Sequence, residues 1–155
     1  HRVELRIHGD SDTAPDYVAA LRERARGLPV SFMGRFDDDG VAGVYGRLDV
    51  LVVPSLWPEN SPLVIQEAFM AGGTVVAARI GGIPELVDDG RNGLLYEPFS
   101  APALARALRT LIDQPERLRR LAEARPEPKS IEDDAREWDE RYREVVEGAA
   151  APARR

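Results

Sequence analysis

Two short runs limit this chain more than anything else in it. Asp49-Val50-Leu51-Val52-Val53 and Thr74-Val75-Val76-Ala77-Ala78 are almost continuously apolar. A strand with one wet face alternates polar and apolar residues. A continuous run is buried on both faces, which suits the middle of a parallel sheet covered by helices. The first run stops at Pro54, and the second at a turn around Gly81-Gly82. Each is followed by a helical pattern. The chain therefore reads as repeated strand–helix units.

The same order extends in both directions. Val3–Ile7 reads as a strand closed by His8-Gly9-Asp10, and 16–26 reads as a helix with Tyr17, Leu21 and Ala25 at i, i+4 and i+8. Val30–Met33 is a second strand, ended by Gly34, and 41–47 a short helix. After the first apolar run come a loop over 55–61 and a helix over 62–71. A short helical piece runs from Gly82 through Val87. Asp89-Gly90 and Asn92-Gly93 signal turns. Leu94–Tyr96 is the last strand, and helices follow from Pro102 and Pro115. This alternation predicts an α/β, Rossmann-like, doubly wound parallel sheet. A length of 155 residues fits one such domain, spanning 1–124. A cleft between two full α/β domains cannot be complete in it.

Arg125-Pro126-Glu127-Pro128-Lys129 reads as a linker over 125–130. Beyond it, Ile131, Ala135, Trp138, Tyr142 and Val145 form one apolar stripe of a helix over 131–147. Eight acids against three arginines leave that helix at about −5, most of the chain's net charge of −6. The simplest reading is a solvated helix packed by one face. Residues 148–155 read as a disordered tail.

Composition removes whole classes of function. There is no cysteine, so no disulfide scaffold, thiolate metal site or cysteine nucleophile. An acidic chain is a poor binder of nucleic acid. Cations comprise 20 arginines and one lysine, Lys129, and no phosphate-loop lysine motif exists. Of two histidines, His1 is terminal and His8 ends a strand, where a structural role is the simpler reading. No run approaches the roughly 20 apolar residues of a membrane span. The N-terminus lacks a signal-peptide layout, so the expectation is a cytoplasmic protein.

The stretch from Pro54 to Glu85 carries the chemistry. Ser61 is placed to cap the helix over 62–71, with Pro62 at its first position. The Leu63 and Val64 amides would then face outward at the positive helix end, a place for phosphate. It lies at the carboxyl end of a parallel strand, where open α/β sheets bind ligands. Glu59 stands just before the helix, and Glu67 tilts back toward its start. Carboxylates are poor phosphate ligands but accept from sugar hydroxyls. The pattern fits a ligand with phosphate and several hydroxyls.

These residues resemble a family. Pro54-Ser55, Glu59, Ser61-Pro62-Leu63-Val64, Glu67-Ala68, Gly73-Thr74-Val75-Val76-Ala77, Gly81-Gly82-Ile83-Pro84-Glu85 and Asn92-Gly93-Leu94-Leu95 follow the ordered signature of glycosyltransferase family 4. Its members are retaining GT-B enzymes. Val30-Ser31-Phe32-Met33-Gly34 and Asp49-Val50 resemble further strands of that family, and the likeness covers about residues 3–123.

The resemblance implies the C-terminal, donor-binding half of an enzyme using a nucleotide-diphosphate sugar as substrate. It implies no separate cofactor and no metal. Asp37-Asp38-Asp39 is the sole acidic cluster of interest and reads as a solvated turn. Glu59 would lie near the donor sugar as the catalytic-site acid. Glu67 would hold ribose hydroxyls, the Leu63 and Val64 amides the phosphates, and Gly34, Arg35 and Phe36 the base. Asn60-Ser61 replaces a glycine-containing turn near the sugar, and Thr74 a proline. The family's first strand and helix, with the Arg and Lys that hold the diphosphate, precede the strand matching Val3–Ile7. Neither is found, so the expectation is a fragment, inactive alone, whose acceptor would bind a missing N-terminal domain. In sheet order 3-2-1-4-5-6 the missing strand is central. The gap is expected to close by pairing of Val3–Ile7 with Val50–Val53, or to be filled by another segment or chain through strand exchange or dimerisation. The final helix would pack on something outside the chain, leaving Trp138 and Tyr142 partly exposed. Peripheral membrane association of the full protein is compatible with the resemblance. Rival readings are a GT-B sugar-nucleotide epimerase and a noncatalytic nucleotide-sugar-binding or assembly module. A nicotinamide oxidoreductase is disfavoured because no Gly-x-Gly-x-x-Gly follows a strand.

Overall fold

In the computed structural model, which describes residues 3–36 and 40–150, strands and helices alternate along the chain. They are β1 (Leu5–His8), α1 (Pro15–Arg24), β2 (Val30–Gly34), α2 (Val41–Tyr45), β3 (Val50–Val53) and α3 (Leu63–Met70). β4 (Thr74–Ala78), α4 (Ile83–Leu86), β5 (Gly93–Tyr96), α5 (Ala101–Asp113), α6 (Pro115–Glu123) and α7 (Ile131–Ala150) follow. Every strand pairing is parallel. The α/β alternation expected from the sequence is the architecture found. The Asp37–Asp39 turn lies outside the described residues.

The strands form two sheets, β1-β2 and β3-β4-β5. These match two runs of the expected order, without its central strand among the described residues. The expected closure does not occur: β1 and β3 do not pair, and no described strand joins the two sheets. Open edges are tolerated where solvent reaches them. β3 is only half-buried over Val50–Val52, and β1 is half-buried or exposed throughout. Unpaired groups at such edges stay in reach of solvent, so leaving them unpaired costs little.

β4 is the true centre. All five of its residues are buried. Val75 and Ala77 face a cluster with Tyr45, Ile65, Ala68, Phe69, Ile83 and Val87. Val76 and Ala78 face another with Leu94, Ala103, Leu111 and Leu121. The two-residue strand period thus delivers alternate side chains to two helical layers. Thr74 is fully buried, and its hydroxyl reaches the Leu118 carbonyl at 3.5 Å. That contact explains why threonine is accepted there. The β3 run, equally apolar, is less buried than β4 because one of its edges has no neighbour.

Among the described residues, no buried core side chain comes from before Tyr45. α1 buries none of its residues. It is held partly by Arg22, whose guanidinium lies 4.9 Å over the Phe32 ring of β2. Burying a Val, Leu or Ile stabilises by about 1.5–3 kcal/mol each. The β1-α1-β2 unit has little of this term.

α7 corrects two expectations. It continues through Gly148 to Ala150 instead of ending at 147. It is also not packed by one face: Ile131, Trp138, Tyr142 and Val145 are all exposed. The Ser130 hydroxyl accepts from the Asp133 amide at 3.1 Å, capping its start. Arg143–Asp139 at 2.7 Å and ion pairs of Arg136 with Asp133 and Arg141 with Glu137 run along it. The exposed Trp138 and Tyr142 agree with the other expectation, of a stripe left without cover inside this chain.

Candidate functional site

The parallel strands point their carboxyl ends one way within each sheet, and the site residues gather there. On the two-stranded sheet, the ends of β1 and β2 meet. The Gly9 amide donates to the Gly34 carbonyl at 3.0 Å. Arg35 pairs with Asp10 at 2.8 Å, although the arginine remains largely exposed. Phe36 meets the His8 ring edge-on, with centroids 5.2 Å apart. His8 is thus part of a local aromatic contact, as a structural reading predicts, though its buried Nδ1 has no hydrogen-bond partner. Asp10 also accepts from the Asp12 amide at 2.8 Å and the Thr13 hydroxyl at 2.8 Å. The Asp12 amide first, then Thr13 and Arg35, hold its carboxyl below the usual carboxylate range. Sequence reading missed Asp10, whose Asp-x-Asp-Thr spacing is the local signal of such a turn.

On the three-stranded sheet, β3 leads through a loop into α3. Pro62, not Ser61, is the N-cap, with extended backbone at φ −67° and ψ 115°, and no side chain caps this end. The Ser61 hydroxyl instead accepts from the Gln66 amide group at 3.4 Å. Ser61 was expected to cap because serine commonly does so; Pro62, with its φ already near −65°, occupies the position one residue later. The first main-chain bond of the turn runs from the Ile65 amide to the Pro62 carbonyl at 3.1 Å. The Leu63 and Val64 amides are left open among the described residues, and both side chains are exposed. A helix end with unpaired amides is electropositive.

Glu59 and Glu67 flank that end, and both are half-buried. The Ser55 hydroxyl donates to Glu59 Oε1 at 3.0 Å. Asn60 is exposed beside it. Glu67 lies one turn into α3, and its carboxylate acts on the buried Tyr45 hydroxyl. Burial first, then the Glu67 carboxylate, push the Tyr45 hydroxyl well above its ordinary value. Behind Glu59, the Gly82 amide donates to the Glu59 carbonyl at 2.7 Å. Neither Ser55 nor Tyr45 was singled out as a site residue in the sequence. Ser55 had a weak signal, as a polar residue just past a buried strand. Tyr45 had none, because its reach to Glu67 is purely tertiary.

The sequence-derived set thus falls into two groups. Gly34, Arg35 and Phe36 stand on the first sheet; Glu59, Asn60, Ser61, Leu63, Val64 and Glu67 stand on the second. Chemically, the arrangement offers open amides for an anion, two carboxylates for hydroxyls and a ring at Phe36 for a planar group. Among the described residues no three His, Asp or Glu side chains gather as a metal site. No helix there is long and apolar enough to cross a membrane.

Known proteins resemble this chain over much of its length. A family described as glycosyl transferases group 1 matches residues 1–114. The D-inositol 3-phosphate glycosyltransferase of Corynebacterium glutamicum is 42% identical over 115 residues, covering 74% of this chain and 27% of that protein. Sulfoquinovosyl transferase SQD2 of Arabidopsis thaliana is 36% identical over 99 residues, covering 62% of this chain and 19% of that protein. Anabaena Alr3699/HepE, solved in complex with UDP-glucose, is 31% identical with a TM-score of 0.70, over 79% of this chain and 34% of that one. Sucrose-phosphate synthase from Thermosynechococcus elongatus aligns at a TM-score of 0.77 and 26% identity, over 94% and 39% respectively. The chain spans about a fifth to two fifths of the length of these relatives.

Proposed function

The chain belongs to the group 1 glycosyl transferases, and on that premise we propose that it is the donor-binding half of a retaining glycosyltransferase. The complete enzyme moves a sugar from a nucleoside diphosphate to an acceptor hydroxyl, and this half is inactive by itself. The observation that carries the reading is the uncapped start of α3, whose open Leu63 and Val64 amides lie between two carboxylates. The amides receive the distal phosphates and stabilise negative charge on the departing diphosphate. Glu67 accepts from the ribose hydroxyls, and Tyr45 holds its carboxylate. Glu59 faces the donor sugar, with Asn60 and Ser61 beside it. Gly34, Arg35 and Phe36 border the base. A relative solved with UDP-glucose supports a nucleotide sugar as the ligand class.

Titrating the chain with a panel of nucleoside diphosphates, as wild type and as Glu67→Ala, tests this reading. Losing hydrogen bonds to a charged group costs about 1.5–3 kcal/mol. We expect affinity to fall at least tenfold in Glu67→Ala, while a 2′,3′-dideoxy analogue binds both forms alike. Equal affinity of both forms for the ribonucleotide overturns the ribose assignment.

A further inference from the structure

We propose that Ser55 and the Gly81-Gly82 turn are positioning residues for Glu59, and that they set the preference for a nucleotide sugar over the bare nucleotide. The inference rests on the reading that Glu59 faces the donor sugar. Its basis is a clamp on Glu59 from two independent sides. The side chain is held by Ser55, which is only 9% exposed and donates to Glu59 Oε1 at 3.0 Å. A buried hydroxyl is costly unless bonded, and here its partner is a carboxylate. The second carboxylate oxygen makes no bond among the described residues and is free to accept from a ligand.

The main chain is held by the turn after β4. Beyond the Gly82 amide's bond to the Glu59 carbonyl, the turn lies flat against this peptide. A Cβ on Gly81 would stand 2.3 Å from the Glu59 carbonyl oxygen and 2.6 Å from its nitrogen. A Cβ on Gly82 would stand 2.0 Å from the Asn60 carbonyl oxygen. Gly81 also has φ +56°, where glycine alone is unstrained. Two adjacent glycines are therefore needed for the loop to seat. Next in the chain, Ile83 is fully buried, which anchors the turn to the core. Glu59 is consequently fixed before ligand arrives. A flexible glutamate would lose rotamer freedom on binding, and the clamp removes that loss from the binding step.

The test uses the whole chain. NMR shift titrations with UDP and UDP-glucose, and with the matching ADP and GDP pairs, measure each affinity ratio. Wild type, Ser55→Ala, Ser55→Thr and Glu59→Gln are compared, with the remaining amide spectrum as a check on folding. Wild type is expected to favour the nucleotide sugar in one pair, and Glu59→Gln to lose that preference. Ser55→Ala should lower the ratio about five- to tenfold, with the bare nucleotide moving less than twofold. Ser55→Thr, which keeps the hydroxyl, should restore it. Adding Ser55→Ala to Glu59→Gln should change the ratio no further. If Glu59→Gln abolishes the preference while Ser55→Ala keeps it, positioning fails and the Glu59 reading stands. Parallel loss of both affinities in Ser55→Ala reduces Ser55 to a structural role and also overturns the proposal. No preference in wild type, or none lost in Glu59→Gln, removes the Glu59 reading and this inference with it.

Discussion

Tyr45 and Glu67 come from different helices, and the carboxylate helps to keep the tyrosine hydroxyl protonated. A buried tyrosine hydroxyl beside a carboxylate resists ionisation, since the product would be a second anion in a desolvated place. Tyr96 is also raised, by burial. An unfolded tyrosine ionises near pH 10. Between that value and the higher folded one, unfolding releases a proton. The stabilising contribution is therefore complete below about pH 10 and declines as pH rises further. We expect urea-unfolding stability to fall above about pH 10, and Tyr45→Phe to flatten part of that fall. The same slope in wild type and variant would mean Tyr45 ionises normally. By contrast, the many arginine–carboxylate pairs on the surface, such as Arg26–Glu23 and Arg119–Glu116, are exposed and contribute little.

At the level of elements, the loop between β3 and α3 is shaped less by its own residues than by the turn after β4. Pro54 ends the strand and Pro62 begins the helix, but neither dictates where Glu59 sits. The Gly81-Gly82 contact does. Gly81→Ala must open a 2.3 Å overlap and adopt a left-handed backbone. Overpacking costs about 1–3 kcal/mol and the backbone term about 1–2 kcal/mol. We expect Gly81→Ala to lower unfolding free energy by about 2–5 kcal/mol, read from the urea midpoint. Gly90→Ala is the control: it shares a positive φ of 82° but has nothing within 4 Å. A similar loss in both would assign the cost to backbone conformation alone.

Across the whole molecule, stability is unevenly distributed. Buried side chains begin at Tyr45 and end at Leu121. The β1-α1-β2 unit before them is half-buried or exposed, and α7 after them is largely exposed. Regions with few buried apolar contacts open locally at low free energy. Hydrogen exchange should show β4 and β5 amides exchanging slowest, at the global rate. Amides of β1, β2 and α7 should exchange at least a hundredfold faster. Uniform protection from β1 to α6 would mean the two sheets unfold as one unit. The smaller group of the proposed site, Gly34 to Phe36, stands on the weaker unit, so ligand that bridges both sheets should slow exchange in β1 and β2 most.

Much of this was legible in the chain. The alternation of strand-like with helical patterns foretold every described strand, and the central β4 most clearly, because burial on both faces demands continuous apolarity. The spacing of Glu59 and Glu67 around a proline helix start marked the candidate site, because helix geometry carries a residue at that distance back toward the first turn. Other features depended on which surfaces meet. Val50–Val53 and Thr74–Ala78 look alike in sequence, yet only the second is central, since burial depends on neighbours at both edges. Ser61 looked like a cap, yet one residue's shift passed that position to Pro62. The Ser55–Glu59 bond closes within one loop, whereas the Tyr45–Glu67 pair and the seat that Gly81-Gly82 provides for Glu59 join elements distant in sequence. Local pattern determined the elements and the kind of ligand they suit; contact between elements decided how the carboxylates are held.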